Sequence, residues 1–170
     1  RSGVQGRGAV MKNESNLESR LQFLVRVVRK ECRHLATTDR RLFGAGLSLQ
    51  QVAALDSDLD LAERVEAFVG RLGRLQDTIG DKLLPSLLVL LGERPSAAID
   101  NLDRAERLGF VKSTESWMAM RALRNQMVHE YVEDPVLLHG ALQAGHAFVS
   151  ELLAAGDAMT VEVEKRLGAG

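Results

Sequence analysis

Apolar positions along this chain recur at spacings of three, four and one, the repeat of amphipathic helices, and no segment shows a convincing period of two. Leu17, Leu21, Leu24, Val25, Val28, Cys32 and Leu35 fall on one face and predict a helix from about Asn16 to Thr37. Phe43-Gly44-Ala45-Gly46 breaks it, and Ser48 is placed to cap a short turn of helix before the polar stretch from Asp56 to Asp60. Leu61, Val65, Phe68, Leu72, Leu75 and Ile79 then alternate spacings of four and three. They predict a long helix with a heptad-like seam from about Leu59 to Leu91. Pro85 lacks an amide proton and its ring clashes with the carbonyl four residues back, so a kink is expected there, with the helix resuming beyond it.

Gly92 to Pro95 ends that helix, and Ser96 is expected to open a shorter one that stops near Gly109. Ser113-Thr114-Glu115-Ser116 supplies caps for a helix carrying Trp117, Met120, Leu123 and Met127. Asp134-Pro135 reads as a cap followed by proline at the first helical position. Val136, Leu137, Leu142, Phe148, Leu152, Val161 and Leu167 populate a final long helix, which Gly140, Gly145 and Gly156 are expected to bend or divide. The expected fold is all-α: an antiparallel bundle of four long helices plus one or two short ones.

Composition supports this. The 170 residues are 45% hydrophobic and only 4% aromatic, so burial rests on aliphatic side chains carried by helices, in one domain. Residues 1–10 carry three glycines and no apolar periodicity before Met11, and read as tag or linker; 11–170 read as a single helical domain. Cys32 has no partner for an intrachain disulfide and no companion thiols for a zinc site, which suits a reducing, cytoplasmic setting. Its place among apolar residues suits a buried, inert thiol. The most apolar run, Leu83 to Leu91, is too short to span a bilayer, so no membrane partner is expected.

The chemistry concentrates in Arg124-Asn125-Gln126-Met127-Val128-His129-Glu130-Tyr131, which includes the only tyrosine. Asn125 and His129 are four apart and share a helix face, as do Arg124 and Tyr131 at seven. Arg124 and His129, five apart, diverge by about 140°. They serve one substrate only if the helix ends near the histidine or a second copy completes the site. Cleaving RNA without a metal requires a base for the 2′-hydroxyl, an acid for the departing 5′-oxygen and a cation for the phosphorane. An imidazole titrates near neutrality, a guanidinium is a phosphate fork and an amide orients either; His129, Arg124 and Asn125 supply these. Spacing alone also suits a helix-end histidine stabilised by the dipole, an arginine paired with a carboxylate on a neighbouring helix and a packed tyrosine ring.

The arrangement R-x4-H-x-Y resembles the signature of HEPN-domain ribonucleases, and within them the HepT toxins that pair with a minimal nucleotidyltransferase. The resemblance spans about Leu17 to Leu167. It implies a HEPN-like, dimeric all-α domain acting as the endoribonuclease toxin of a toxin–antitoxin system, without metal or cofactor. Arg124, Asn125 and His129 then form the catalytic set at a dimer cleft. Tyr131, two after the histidine, corresponds to the tyrosine that an MntA-like nucleotidyltransferase antitoxin AMPylates to silence the toxin. The added phosphodiester would compete for Arg124 beside His129. Family members often carry an acidic or polar side chain from the second long helix near the motif. Asp77 is the candidate for orienting Arg124 or His129, unless it merely pairs with Arg74 at i,i+3. The alternative is a non-catalytic nucleotide- or substrate-binding subunit of a nucleotidyltransferase, and beyond it a plain helical interaction module.

Seven basic residues against two acidic ones between Arg20 and Arg41 leave a local +5 in a chain of net charge −1. Arg26, Arg29, Lys30 and Arg33 share one side of the first helix. An RNA backbone, an acidic partner or plain solvent accounts for them equally. Arg64, Arg71 and Arg74 make a second stripe, and His34, His139 and His146 lack metal-ligand spacing.

Overall fold

The computed structural model describes residues 3–129 and 133–168, with side chains from 6 to 128 and from 133 to 168. All regular structure among the described residues is helical. The long helices are α1 (Gly3–Phe43), α3 (Leu59–Asp77), α6 (Thr114–His129) and α7 (Pro135–Gly168). The short ones are α2 (Leu49–Ala53), α4 (Leu84–Leu90) and α5 (Ala98–Arg107), with a 3₁₀ turn at Leu55–Ser57.

Helix α1 starts well before Asn16 and ends after Thr37. Residues 6–16 are exposed, so this extension rests on its own backbone ladder and adds nothing to the core. Its termination is as expected: Gly46 takes the left-handed φ of 82° that an L side chain resists. Ser48 then caps α2 through a full capping box with Gln51. Ser113 likewise caps α6, accepting from the Ser116 amide at 3.0 Å. Asp134 accepts from the Val136 amide at 2.9 Å, ahead of Pro135 at the first position of α7.

Two local expectations are corrected. Ser96 does not cap α5; the N-cap is Ala97, which makes no side-chain cap bond. Instead the buried Asn101 reaches back, accepting from the Ser96 amide at 2.8 Å and donating to its carbonyl at 3.1 Å. Helix α7 is not divided at its glycines, and two of them are packing positions. A Cβ at 145 would lie 3.2 Å from Phe68 Cε1, and one at 156 would lie 3.1 Å from Cys32 Sγ. Of the apolar residues that populate this helix, Val136, Leu137 and Val161 are exposed.

Pro85 disturbs its helix by a change of register. Thr78–Leu83 form a π-helical segment in which the Leu84 amide donates to the Ile79 carbonyl five residues back, and Pro85 enters the first turn of α4. The wider turn spares the proline ring its clash with the preceding turn.

The core is aliphatic, as the composition requires. Leu21, Val28 and Leu35 of α1 meet Phe68, Leu72 and Leu75 of α3, and Leu142, Leu152 and Met159 of α7, all fully buried. Cross-contacts fix directions. Thr78 lies by Glu31 and Arg71 by Thr38, so α1 and α3 run oppositely. Arg29 meets Glu164 and Asp39 meets His146, so α1 and α7 do too. Helix α6 closes over α3 and α7, with the Trp117 ring 5.9 Å edge-on from Phe148.

Gly145 and Gly140 separate packing from propensity on one helix. Gly145→Val should lower stability by about 1–3 kcal/mol through overpacking. Gly140→Ala, with nothing within 4 Å of the new methyl, should raise it by roughly 0.5–1 kcal/mol. Urea unfolding of the two variants against the parent measures both.

Candidate functional site

The middle of α3 carries residues of two kinds on its α6 side: small ones that let α6 approach, and polar ones that grip it. Gly73 leaves a trough into which the Arg124 side chain lies; a Cβ there would sit 2.7 Å from Arg124 Nη1. One turn on, Asp77 receives that guanidinium through both carboxylate oxygens, Nη1 to Oδ2 at 3.0 Å and Nη2 to Oδ1. Between them Gln76, buried, donates to the Trp117 carbonyl at 2.8 Å. At Gly80 the indole of Trp117 packs directly on the helix backbone. Arg121 faces Asp81 at 3.8 Å and adds a weaker, exposed pair. Together these contacts fix the register of α6 on α3.

Of the sequence-predicted residues, the structure brings Arg124 and Asp77 together and gives Asp77 that partner, not Arg74. The Arg124 side chain is 11% exposed and its Nε is buried with no hydrogen-bond partner among the described residues, whereas the Asp77 side chain is 43% exposed. The fork expected to face a phosphate therefore faces a carboxylate, with the open side of the pair on Asp77. Asn125 is exposed on α6. The backbone of His129 completes α6, five residues and about 140° beyond Arg124. Its side chain, and Tyr131 altogether, lie outside the described residues.

Gly73 and Gln76 belong to this site and were not singled out by sequence reasoning. A glycine in the interior of a helix weakens it and so invites a packing explanation, but Gly70 on the same turn is equally marked and has open space beside it. Nothing in the sequence distinguishes Gln76 from a surface glutamine.

Beyond Gly70 the seam between α3 and α6 widens into a cavity of about 550 Å³, reaching α2 and the start of α7. Val65, Val69, Met127 and Val128 wall it, and Asp56, Glu66 and Glu133 contribute carboxylates. Val128, Val136 and Leu137, flanking the passage from α6 to α7, are 55%, 60% and 64% exposed.

The remaining candidates are engaged elsewhere. Arg29 holds Glu164 of α7, Nη2 to Oε2 at 2.9 Å, while Arg26, Lys30 and Arg33 remain exposed. His146 Nδ1 lies 2.6 Å from Asp39 Oδ1 with its ring stacked on Phe43, and His139 Nε2 lies 2.8 Å from the Leu47 carbonyl. Both clasp the end of α1 and the following turn to α7. Burial pushes the Cys32 thiol up to about 11, which keeps it protonated at neutral pH and a poor nucleophile. No His, Cys, Asp or Glu cluster among the described residues has metal-site geometry. No described helix is long and apolar enough to cross a membrane.

Among the described residues, Glu31 is a half-buried acid whose carboxyl is perturbed by its surroundings. Its Oε2 is buried without a partner among the described residues, and Oε1 lies 3.3 Å from the Thr78 hydroxyl. That hydroxyl also lies 2.9 Å from the Arg74 carbonyl and has one proton for two acceptors. Desolvation raises the Glu31 carboxyl, against the lowering pull of Thr78, Arg74, Lys82 and His34.

Compared with known proteins, the chain matches no family model, no curated protein and no solved structure.

Two outcomes follow from these contacts. Asp77→Ala should cost about 1–2 kcal/mol in urea unfolding, less than a fully buried pair because Asp77 is 43% exposed to screening water. Glu31→Gln tests the raised carboxyl. The native state holds that proton to higher pH than the unfolded chain, so its ionisation lowers stability as pH rises through the carboxylate range. The glutamine variant should be the more stable at pH 7, with the advantage shrinking on acidification toward pH 4; an advantage that grows in acid would reverse the assignment.

Proposed function

We propose that this protein cleaves RNA in the manner of HEPN-domain toxins, folding as an antiparallel helical bundle and acting as a homodimer whose cleft is formed by two copies of the α6 motif. The observation that carries the reading is the locked arginine. Arg124 is anchored on α3 by Asp77 while the same helix continues to the exposed Asn125 and on to His129. An ion pair of this kind pre-positions a cation beside a cleft and spends little conformational entropy when substrate arrives.

Scission in this scheme begins when the ribose 2′-oxygen attacks the adjacent phosphorus as its proton passes to a base. The bond to the 5′-oxygen then breaks, and that oxygen takes a proton from an acid. His129 exchanges these protons, with the second protomer's His129 completing the pair. Asn125 orients the phosphate, and the charge of Arg124 offsets the phosphorane. The 140° offset between Arg124 and His129 is the reason one chain supplies half of the constellation. Exposed Val128, Val136 and Leu137 beside the motif support a contact with a second copy, since an apolar patch of this kind favours association. The implied regulator is a nucleotidyltransferase antitoxin that adds AMP to Tyr131, and the implied setting is the cytoplasm.

One observation favours a second reading. Both Nη groups of Arg124 are spent on Asp77, which suits a structural or nucleotide-holding arginine in a non-catalytic subunit of a nucleotidyltransferase.

Incubating labelled RNA with the purified chain and with His129→Ala, metals chelated, separates the two. Cleavage by the parent and a loss of about 10²-fold or more in the variant is expected of a general acid–base residue. Undiminished cleavage by His129→Ala removes the catalytic assignment. No cleavage by either chain, with nucleotide binding that Arg124→Ala abolishes, establishes the binding subunit.

A further inference from the structure

The cavity at the end of the α3–α6 seam lies in line with the Arg124–Asp77 pair, and its lining is chemically one-sided. Its walls are aliphatic and thioether groups, its ionisable lining residues are all carboxylates, and no lysine or arginine contributes among the described residues. A volume of about 550 Å³ is that of a small-molecule site, ample for one nucleotide. Gly70 stands at its edge with nothing within 4 Å of the Cβ position, so the α3 backbone itself is open to a flat ring. Along α6, Val128 is four residues from Arg124, a rise of about 6 Å. That spacing lets one nucleotide place its base among Val69, Met127 and Val128 while its phosphate stays outside the cavity, toward the turn of α6 that carries Arg124.

The geometry points to this cavity as the base-recognition site of the proposed ribonuclease, selective for guanine in single-stranded RNA; the inference rests on the ribonuclease reading for its substrate. A carboxylate accepts only, and guanine is the base whose Watson–Crick edge presents two adjacent N–H donors, N1–H and N2–H₂, that both oxygens receive together. Adenine and cytosine offer a single amino donor beside a ring acceptor, and uracil offers one N–H flanked by carbonyls that the carboxylate repels. Glu66 is the acceptor. It sits one helical turn before Gly70 on α3, is exposed, and makes no ion pair or hydrogen bond among the described residues. Apolar walls hold the faces of an unstacked base, as single-strand recognition requires.

Binding of guanosine, adenosine, cytidine and uridine 5′-monophosphates to the full chain, followed by calorimetry, tests the site without relying on cleavage. Guanosine monophosphate should bind roughly tenfold or more tightly than the other three, the value of one additional hydrogen bond to a charged group. Glu66→Gln should erase that preference, and Gly70→Phe, which fills the cavity from an exposed position, should abolish binding. Equal binding of all four, binding of none, or an unchanged preference in Glu66→Gln overturns the site. The ribonuclease reading fails separately. RNA cleavage whose base preference survives Gly70→Phe removes the guanine site and leaves the nuclease. Guanine selectivity in a chain that cleaves no RNA keeps the site and removes the nuclease.

Discussion

Burial of α3 on three sides constrains everything else in the molecule. Its Leu72 and Leu75 are inaccessible to solvent, and it touches α1, α6 and α7 at once. A helix surrounded in this way has no room for bulk on every face, so small residues stand wherever a neighbour comes closest. Gly73 on α3 and Gly80 in the π-helical segment that follows admit α6, and Gly145 and Gly156 on α7 admit Phe68, Leu72 and Ile79. Each bare position lets aliphatic groups meet at van der Waals distance, and the summed dispersion and burial fix the helices relative to one another. Removing α3 would leave α1, α6 and α7 touching one another only through the faces that α7 presents.

The same crowding gives the candidate site its character. Because Gly73 has no side chain, the Arg124 stem is buried in the trough beside it and only the guanidinium tip meets Asp77. A mostly buried cation must have a partner, and a carboxylate one turn along α3 supplies it. Gln76 fixes the other end of α6 by holding the Trp117 carbonyl. The motif helix is therefore gripped at its base and its middle, while its last residues project toward the cavity and the exposed Val128. Beyond this grip the described side chain of Asn125 is exposed, on a helix held rigidly by its neighbours.

The π-helical segment that follows belongs to this economy of space. Pro85 would close a normal turn too tightly, and the wider register at Thr78–Leu83 absorbs it within the core, next to the half-buried Glu31. The Thr78 hydroxyl turns to the Arg74 carbonyl and the Glu31 carboxylate, so the irregular turn is tied to α1. Irregular helical registers often occur beside functional positions, and this one begins one residue after Asp77.

By itself the sequence determined that this protein is helical, roughly where its helices lie and most of the residues that enter its core. The spacing of Leu61, Val65, Phe68, Leu72, Leu75 and Ile79 predicted a helix, and all six are buried on it. The caps at Ser48, Ser113 and Asp134 were legible because capping is a matter of adjacent residues, and local hydrogen bonds depend on local sequence. Only part of the α7 pattern survived: Val136 and Leu137 have helical spacing but are exposed, with no described residue burying them. At the site, Arg124 and Asp77 were separately visible as candidates, yet their pairing spans 47 positions, and sequence spacing does not reveal such a contact. The trough at Gly73, the anchoring by Gln76 and the cavity beyond Gly70 were decided by tertiary structure alone, because each exists only where two helices have already packed.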